Sequence, residues 1–111
     1  MNQLESEVLN EMHQKIVKNF LDTIILMELR KHSMNGYDVI SFVHNNFHML
    51  LSPGTVYSYL YSLERSGLIK GELAQKRRVY TLTPKGEETV DELLDSKDKI
   101  LGLMLSIFVG A

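Results

Sequence analysis

Apolar positions divide the chain into segments with helical spacing and segments typical of strands. Near the N-terminus an apolar residue recurs every four positions, which predicts an amphipathic helix with a narrow stripe: Leu4, Val8, Met12 and Ile16. Such a stripe needs a partner surface. Residues 18–31 have a broader apolar face and predict the central core helix. The pattern leaves open whether Asn19 caps this helix or lies inside one helix continuous with the first.

A further helix is predicted after the polar break at residues 33–36. Asn35 followed by Asp38 forms an approximate capping box, in which side chain and backbone satisfy each other's hydrogen bonds. The helix is expected to fray at Asn45 and Asn46. Its predicted buried residues are Val39, Ile40, Val43 and Phe47.

The clearest start and stop signals delimit a helix at residues 52–66. Ser52 can cap free backbone N–H groups, Pro53 suits the first helical position, and Gly67 supplies the left-handed residue that often ends a helix. The predicted buried stripe consists of Val56, Leu60 and Leu63. At about 100° per residue, the opposite side carries polar or amphipathic residues that can hydrogen-bond a ligand. We call this side the reading face: Thr55, Ser58, Tyr61, Ser62 and Arg65.

Two short strands and a last helix follow. Residues 68–73 and 79–82 are rich in branched and aromatic side chains, and polar residues 74–76 join them, so a β-hairpin is predicted. Thr83 and Pro84 open the last helix, whose first turns are acidic, as the helix dipole favours. Its last turns, Ile100 to Val109, are apolar nearly all round, so another chain should cover them.

This order of elements predicts a mainly α (α+β) fold, a winged helix-turn-helix. It has a two-stranded wing whose tip is residues 74–78, an extra N-terminal helix and a C-terminal dimerisation helix. The predicted segments are 1–17 for the N-terminal helix, 18–84 for the winged helix-turn-helix and 85–111 for the dimerisation helix. A chain of 111 residues with 44% hydrophobic and 23% charged residues fits one ordinary globular domain.

Charge is distributed unevenly along the chain. The formal net charge is −2, yet residues 65–85 contain six basic residues and one acidic residue, a net +5, which leaves −7 elsewhere. A local positive segment on an acidic protein is typical of an edge that faces phosphate, because the field near DNA is felt locally. The alternative is that these charged side chains are only solvated surface residues without a binding role.

Four motifs in this order resemble the PadR family of transcriptional regulators: NGYD at 35–38, LSPGTVY at 51–57, LERSGLI at 63–69 and RVYTLTPKG at 78–86. The resemblance covers about residues 20–90. It implies a dimeric repressor with helix 52–66 in the major groove and the wing on the backbone or minor groove. The short C-terminal part is similar to the smaller subfamily, which dimerises through one helix. Ser58 departs from the family, which commonly has proline there.

The candidate contacts with double-stranded DNA lie on helix 52–66 and on the wing tip. Residues in the first turns of a recognition helix approach bases most closely, whereas basic wing residues neutralise phosphates. Tyr57 borders the buried stripe, so a partly structural role is left open, and alternation along the strand can turn Arg77 away. The predicted contacts are Ser52, Thr55, Tyr57, Ser58, Tyr61, Ser62, Lys76, Arg77 and Arg78.

The predicted homodimer interface is the apolar face of the last helix. Its residues are Leu94, Ile100, Leu101, Met104, Leu105 and Phe108. The six methionines are mostly core residues, but flexible thioethers also suit a pocket for varied apolar ligands. A small apolar effector at the dimer interface is therefore an alternative that we keep.

Other functional classes find little support in the sequence. No GxSxG, HExxH, P-loop or GxGxxG motif occurs, so neither an enzyme nor a cofactor is predicted. His44 and His48 are spaced by four but have no third ligand nearby, so no metal is expected. The absence of cysteine and of a visible signal peptide fits the cytoplasm, and the longest apolar run is too short to span a membrane. The alternative function is a winged-helix module that binds protein without DNA.

Overall fold

The computed structural model describes residues 6–110 and contains six helices and three strands within that range. In chain order these are α1 (Glu7–Asn19), α2 (Leu21–Leu29), β1 (Met34–Asn35), α3 (Gly36–Phe47), α4 (Pro53–Arg65), β2 (Ile69–Ala74), β3 (Arg77–Leu82), α5 (Pro84–Asp95) and α6 (Lys97–Ser106). Leu4, predicted to begin the first stripe, lies outside the described residues. The order of elements agrees with the predicted winged helix-turn-helix.

The first two helices are separate but share their hydrogen bonding. Ser6 caps α1 by accepting from the Leu9 N–H, and Phe20, with φ of −106°, lies between α1 and α2. The Phe20 N–H donates to the Ile16 carbonyl, and the Phe20 carbonyl accepts from the Ile24 N–H. Asn19 is therefore the last residue of α1 and not a cap of the second helix, and the predicted core helix at 18–31 shortens to α2.

The predicted capping box at the start of α3 is present in full. The Asn35 side chain accepts from the Asp38 N–H at 2.8 Å, and the Asp38 carboxylate accepts from the Asn35 N–H at 2.9 Å. The predicted fraying at Asn45 and Asn46 is wrong, because the Asn46 side-chain amide donates to the Phe42 carbonyl and α3 continues to Phe47.

The signals at both ends of α4 are confirmed. The Ser52 hydroxyl accepts from the Thr55 N–H at 3.2 Å, Pro53 is the first helical residue, and Gly67 follows the helix with φ of +77°. Without a Cβ, glycine adopts this left-handed conformation at no steric cost. The predicted stripe is buried: Val56 and Leu60 have no exposed surface, and Leu63 is 5% exposed.

The sheet has three antiparallel strands in the order β1-β3-β2. β1 was not predicted; it pairs Met34 with Tyr80 and Asn35 with Val79. The predicted hairpin is present, but β3 starts at Arg77 and β2 extends to Ala74, so only Gln75 and Lys76 form the turn. The predicted three-residue connection was wrong because Ala74 pairs with Arg77 in the ladder.

The C-terminal segment is two helices and not the single helix predicted. Ser96 separates α5 from α6, and its N–H donates to the carbonyls of Glu92 and Leu93. The predicted cap at Thr83 is confirmed, since its side chain accepts from the Gly86 N–H. The radius of gyration is 15.5 Å, whereas a compact chain of this length would have about 13 Å. The extents of 50 × 32 × 21 Å therefore describe an elongated molecule.

The core packs the helices against one another and against the sheet. Its fully buried residues come from α2, β1, α3, α4, β2 and α5: Leu21, Ile25, Met34, Val39, Val43, Val56, Leu60, Ile69 and Val90. Arg30, directly after α2, links α5 to this unit, since its guanidinium contacts the Glu87 carboxylate at 2.9 Å, the Asp91 carboxylate at 2.8 Å and the Glu87 carbonyl at 2.8 Å. Helix α5 is thus held against the winged unit by the buried Val90 and by these surface ion pairs.

Glu28, at the end of α2, is the one buried charged residue within residues 6–110. Burial alone would raise the pKa of its carboxyl group, but hydrogen bonds from His32 and Lys31 outweigh burial and lower it. The pKa of His32 is raised because its ring donates to the Ser33 carbonyl and to Glu28. Protonated His32 therefore stabilises the fold below its usual pKa of 6.5, and this contribution disappears as pH rises through the raised value.

Replacing Glu28 by Gln is expected to return the pKa of His32 toward its ordinary value. Glutamine keeps a hydrogen-bond acceptor but removes the negative charge that favours the imidazolium form. Titration of the His32 ring protons by NMR measures this shift, with His44, whose ring makes no such contact among the described residues, as the internal control. An unchanged His32 pKa in E28Q would contradict the assigned pairing.

Candidate nucleic-acid interface

The reading face of α4 is open to solvent along most of its length. Ser58, Ser62 and Arg65 are exposed, and Tyr61 is 63% exposed. Thr55 is half-buried, and its hydroxyl lies 2.8 Å from the hydroxyl of Ser52, which also caps the helix. The first turn is therefore held rigid by two of the predicted contact residues, while the next two turns present free hydroxyl groups.

Tyr57 lies between the reading face and α3. It is 42% exposed, and a Cβ added at Gly36 would come within 2.5 Å of its ring and hydroxyl. The tyrosine ring therefore packs directly on the Gly36 backbone at the start of α3. This contact between α4 and the start of α3 gives Tyr57 the partly structural role that the sequence left open.

The wing tip is a two-residue turn with an unusual backbone. Gln75 and Lys76 both have positive φ, 48° and 67°, as in the type I′ turns that favour Asn-Gly. Neither residue here is glycine. Lys76 therefore occupies a conformation that costs a non-glycine residue free energy, and this exposed position carries a positive charge.

The two arginines after the turn point to opposite sides of β3. The Arg77 guanidinium lies 5.8 Å from the centre of the Tyr37 ring, at the start of α3. The Arg78 guanidinium contacts the Glu64 carboxylate of α4 at 2.7 Å and lies 6.0 Å from the Tyr80 ring. The alternation that the sequence predicted for Arg77 thus directs it toward Tyr37 and directs Arg78 toward α4.

Some basic residues of the segment 65–85 form ion pairs and others do not. Lys70 pairs with Glu72 at 2.7 Å, an interaction that raises the pKa of the lysine and lowers that of the glutamate. In the part of the chain that the structure describes, Arg65, Lys76 and Arg77 form no ion pair. Arg65 lies 5.6 Å from the Tyr61 ring centre. An aromatic ring does not neutralise a cation, so these three charges remain available to an anion.

A groove of about 530 Å³ separates α4 from the hairpin. Its walls carry aromatic hydroxyls, two guanidinium groups and one carboxylate: Tyr57, Tyr61, Glu64, Arg65, Arg78 and Tyr80. Tyr80 is buried where the groove meets the core, and this burial raises the pKa of its hydroxyl group. The Tyr57 and Tyr61 hydroxyls and the Arg65 guanidinium can donate hydrogen bonds to a phosphate or sugar oxygen that enters the groove.

Two residues of this surface were absent from the predicted contacts. Arg65 belongs to the predicted reading face, and this angular position on the helix is the signal that indicates a contact with DNA. Tyr37 is 61% exposed, and its ring contacts the Arg77 guanidinium. Because the two residues lie more than 30 positions apart in the chain, no local sequence pattern indicates this contact.

The predicted dimerisation residues are mostly uncovered in the single chain. Leu94 is 43% exposed, and Leu101, Leu105 and Phe108 are each more than 60% exposed, whereas Ile100 and Met104 are half-buried. On a helix of 3.6 residues per turn, Leu101, Met104 and Leu105 share one side, and Phe108 lies in the turn that follows α6. Leu103, 69% exposed, lies on the other.

Between residues 6 and 110, no three His, Asp or Glu side chains come together as a metal site. None of the helices in that range combines the length and apolar character needed to cross a membrane.

The α3–α4 pair followed by the β2–β3 hairpin defines a winged helix-turn-helix protein of the DNA-binding type. The profile of the "Transcriptional regulator PadR-like family" matches residues 25–92. The chain therefore belongs to the PadR-like family of transcriptional regulators, a family of regulators and not of enzymes.

Similar proteins include both sequence relatives and solved structures. The transcriptional activator GvpE1 of Halobacterium salinarum is 30% identical over 95 residues, which are 83% of this chain; the chain spans half the length of that relative. A PadR-like regulator from Bacillus cereus has the same fold, with a TM-score of 0.73 and 24% identity over 87% of this chain and 99% of its own. Bacillus subtilis PadR in complex with operator DNA is 27% identical, with a TM-score of 0.59 over 67% of this chain and 46% of its own.

Proposed function

We propose that this protein is a dimeric, sequence-specific DNA-binding repressor that acts in the cytoplasm. The observation that carries the proposal is that Arg65 at the end of α4 and Lys76 and Arg77 at the wing tip have no carboxylate partner among the described residues. Three uncompensated cations beside exposed hydroxyl groups match the chemistry of a duplex, which offers phosphates and base edges together.

In this proposal α4 enters the major groove. The exposed hydroxyls of Ser58 and Ser62 contact base edges, Ser52 and Thr55 orient the first turn near the backbone, and Tyr57 and Tyr61 line the groove that receives a strand. The wing tip, residues 74–78, lies on the sugar-phosphate backbone. Phosphate contacts supply affinity that falls with salt, whereas base contacts supply the sequence preference.

The dimer forms through α6 and the following turn. A second copy of the chain would cover Leu101, Leu105 and Phe108, whose exposure is costly for an isolated chain in water. The interface would also create an apolar space in which Met104 could adapt to a small apolar effector. Two copies would place two α4 helices on one DNA site. The structure of Bacillus subtilis PadR in complex with operator DNA supports DNA binding by this kind of protein.

We infer repression because a protein bound at a promoter blocks access to it. A dimer that occupies a promoter excludes polymerase without any further contact, whereas the relative from Halobacterium salinarum is named an activator. A reporter under the selected DNA site distinguishes the two: lower expression with the protein present supports repression, and higher expression contradicts it.

The DNA-binding proposal is tested by selection from a randomised duplex library, followed by anisotropy titrations at several salt concentrations. Enrichment of one sequence motif, with an affinity that falls steeply as salt rises, is the expected result. Affinity indifferent to both sequence and salt would contradict it and favour the protein-binding module instead.

Replacing Lys76 by Gly is expected to change stability and DNA affinity in opposite directions. Glycine relieves the positive φ, so the free energy of unfolding should rise by about 0.5–1 kcal/mol, while removal of one phosphate interaction should weaken binding about five-fold at physiological salt. K76A is the matched control, since it removes the same charge without relieving the backbone. Urea unfolding and anisotropy measure the two effects; a K76G protein with unchanged affinity would exclude Lys76 from the interface.

A further inference from the structure

Glu64 connects the recognition helix to both strands of the wing. Its Oε2 atom accepts from the Gly71 N–H of β2 at 3.1 Å and from the Arg78 guanidinium of β3 at 2.7 Å. β2 is the edge strand of the sheet, and its Gly71 N–H is satisfied by α4 and not by a neighbouring strand. One carboxylate oxygen near the end of α4 therefore holds the hairpin at a defined angle.

Gly71 makes room for this arrangement. A Cβ at position 71 would lie 2.6 Å from the Arg78 Nε atom and 2.9 Å from the Tyr80 ring. The Arg78 side chain crosses the bare backbone of Gly71 on its way to Glu64, with the ring of Tyr80 also beside it. Tyr80 is 5% exposed, so it cannot move aside without disturbing the core. The three residues Glu64, Gly71 and Arg78 form a unit that we call the wing clamp.

We propose that the wing clamp sets the angle between recognition helix and wing, and that Arg78 stays in the clamp when DNA is bound. This inference rests on the proposed DNA-binding function. If Arg78 moved to a phosphate, the Glu64 carboxylate would remain without its cation beside the negatively charged backbone, and the two anions would repel each other. Arg78 is thus a positioning residue, and the wing reaches phosphate through Lys76 and Arg77.

The salt dependence of DNA binding separates a positioning arginine from one that contacts phosphate. Removing a single phosphate interaction lowers the slope of log affinity against log salt by about 0.9. The double variant E64Q/R78A removes the clamp cation together with the carboxylate, so no unpaired anion is left beside the DNA. It is expected to weaken binding to the selected duplex with an unchanged slope, whereas K76A, the matched control, lowers the slope by about 0.9. A slope lowered in E64Q/R78A as much as in K76A would overturn the proposal and leave DNA binding standing. Binding of the unmodified protein that ignores salt would instead refute the proposed function.

The clamp itself is tested without DNA by amide hydrogen exchange at Gly71. E64A removes the acceptor, so exchange of the Gly71 N–H should accelerate at least about tenfold, because an edge amide without a partner is open to solvent. E64Q keeps an acceptor oxygen and should retain most of the protection. The amide of Glu72, which faces β3 in the antiparallel ladder and has no contact to Glu64 among the described residues, is the control. Unchanged exchange of Gly71 in E64A would overturn the clamp.

Discussion

A variant carrying L101E and L105E is expected to be monomeric and to bind the selected duplex at least about 100-fold more weakly than the unmodified protein. Both leucines are more than 60% exposed in the single chain, so their replacement should hardly affect the fold of the monomer. In a dimer, each glutamate would be buried against apolar side chains without a cation. Without the dimer, each chain binds its half of the site independently and weakly, which lowers the overall affinity by two or more orders of magnitude.

The control for this variant is L103E, which changes an equally exposed leucine on the other side of α6. Sedimentation equilibrium and anisotropy measure assembly and affinity in parallel. We expect L103E to remain dimeric and to bind DNA normally. A dimeric L101E/L105E protein with full affinity would show that the predicted face is not the interface.

The double variant K76A/R77A is expected to lower DNA affinity about 30-fold at physiological salt and to reduce the salt slope by about 1.8. Neither side chain has an ion-pair partner in residues 6–110, so nothing in the free protein competes with phosphate for their charges. The effect should be similar for specific and unrelated duplexes, since phosphate contacts carry no sequence information.

Removal of two charges elsewhere provides the comparison. K15A/K99A changes the net charge by the same amount on α1 and α6, outside the reading face and the wing. It should change affinity only through long-range attraction, which salt screens. An equal loss of affinity in both double variants would mean that overall charge, and not the wing, drives binding.

Local signals predicted the helix-turn-helix because its ends depend on neighbouring residues. The Asn35–Asp38 box and the Ser52 cap each join groups three residues apart, and the positive φ of Gly67 requires only the absence of a side chain. Such features are visible in the sequence as short patterns. The buried stripe of α4 followed in the same way from helical periodicity.

Features that depend on residues far apart in the sequence were not predicted. β1 consists of only two residues, which form a strand because they pair with the middle of β3. A strand of this length has no hydrophobic pattern of its own in the sequence. The Glu64–Arg78 pair and the Tyr37–Arg77 stack join residues that only the folded sheet brings together. The sequence could therefore identify the basic segment, but not which of its cations are already neutralised.

The break at Ser96 shows a further limit. Acidic first turns and an apolar end are both compatible with one long helix, and no proline or glycine marks the interruption. Its N–H donates to carbonyls three and four residues back, so hydrogen bonding continues although the Ser96 backbone, with φ of −97° and ψ of 2°, is not helical. The direction of α6, and with it the separation of two α4 helices in a dimer, depends on this junction.

Hydroxyl-radical footprinting of the selected duplex tests most directly whether two copies of this chain read successive turns of DNA. We expect two protected patches on one face of the duplex, about 10 base pairs apart, with two chains bound per duplex. A single patch occupied by one chain, or protection without a fixed position, would contradict it.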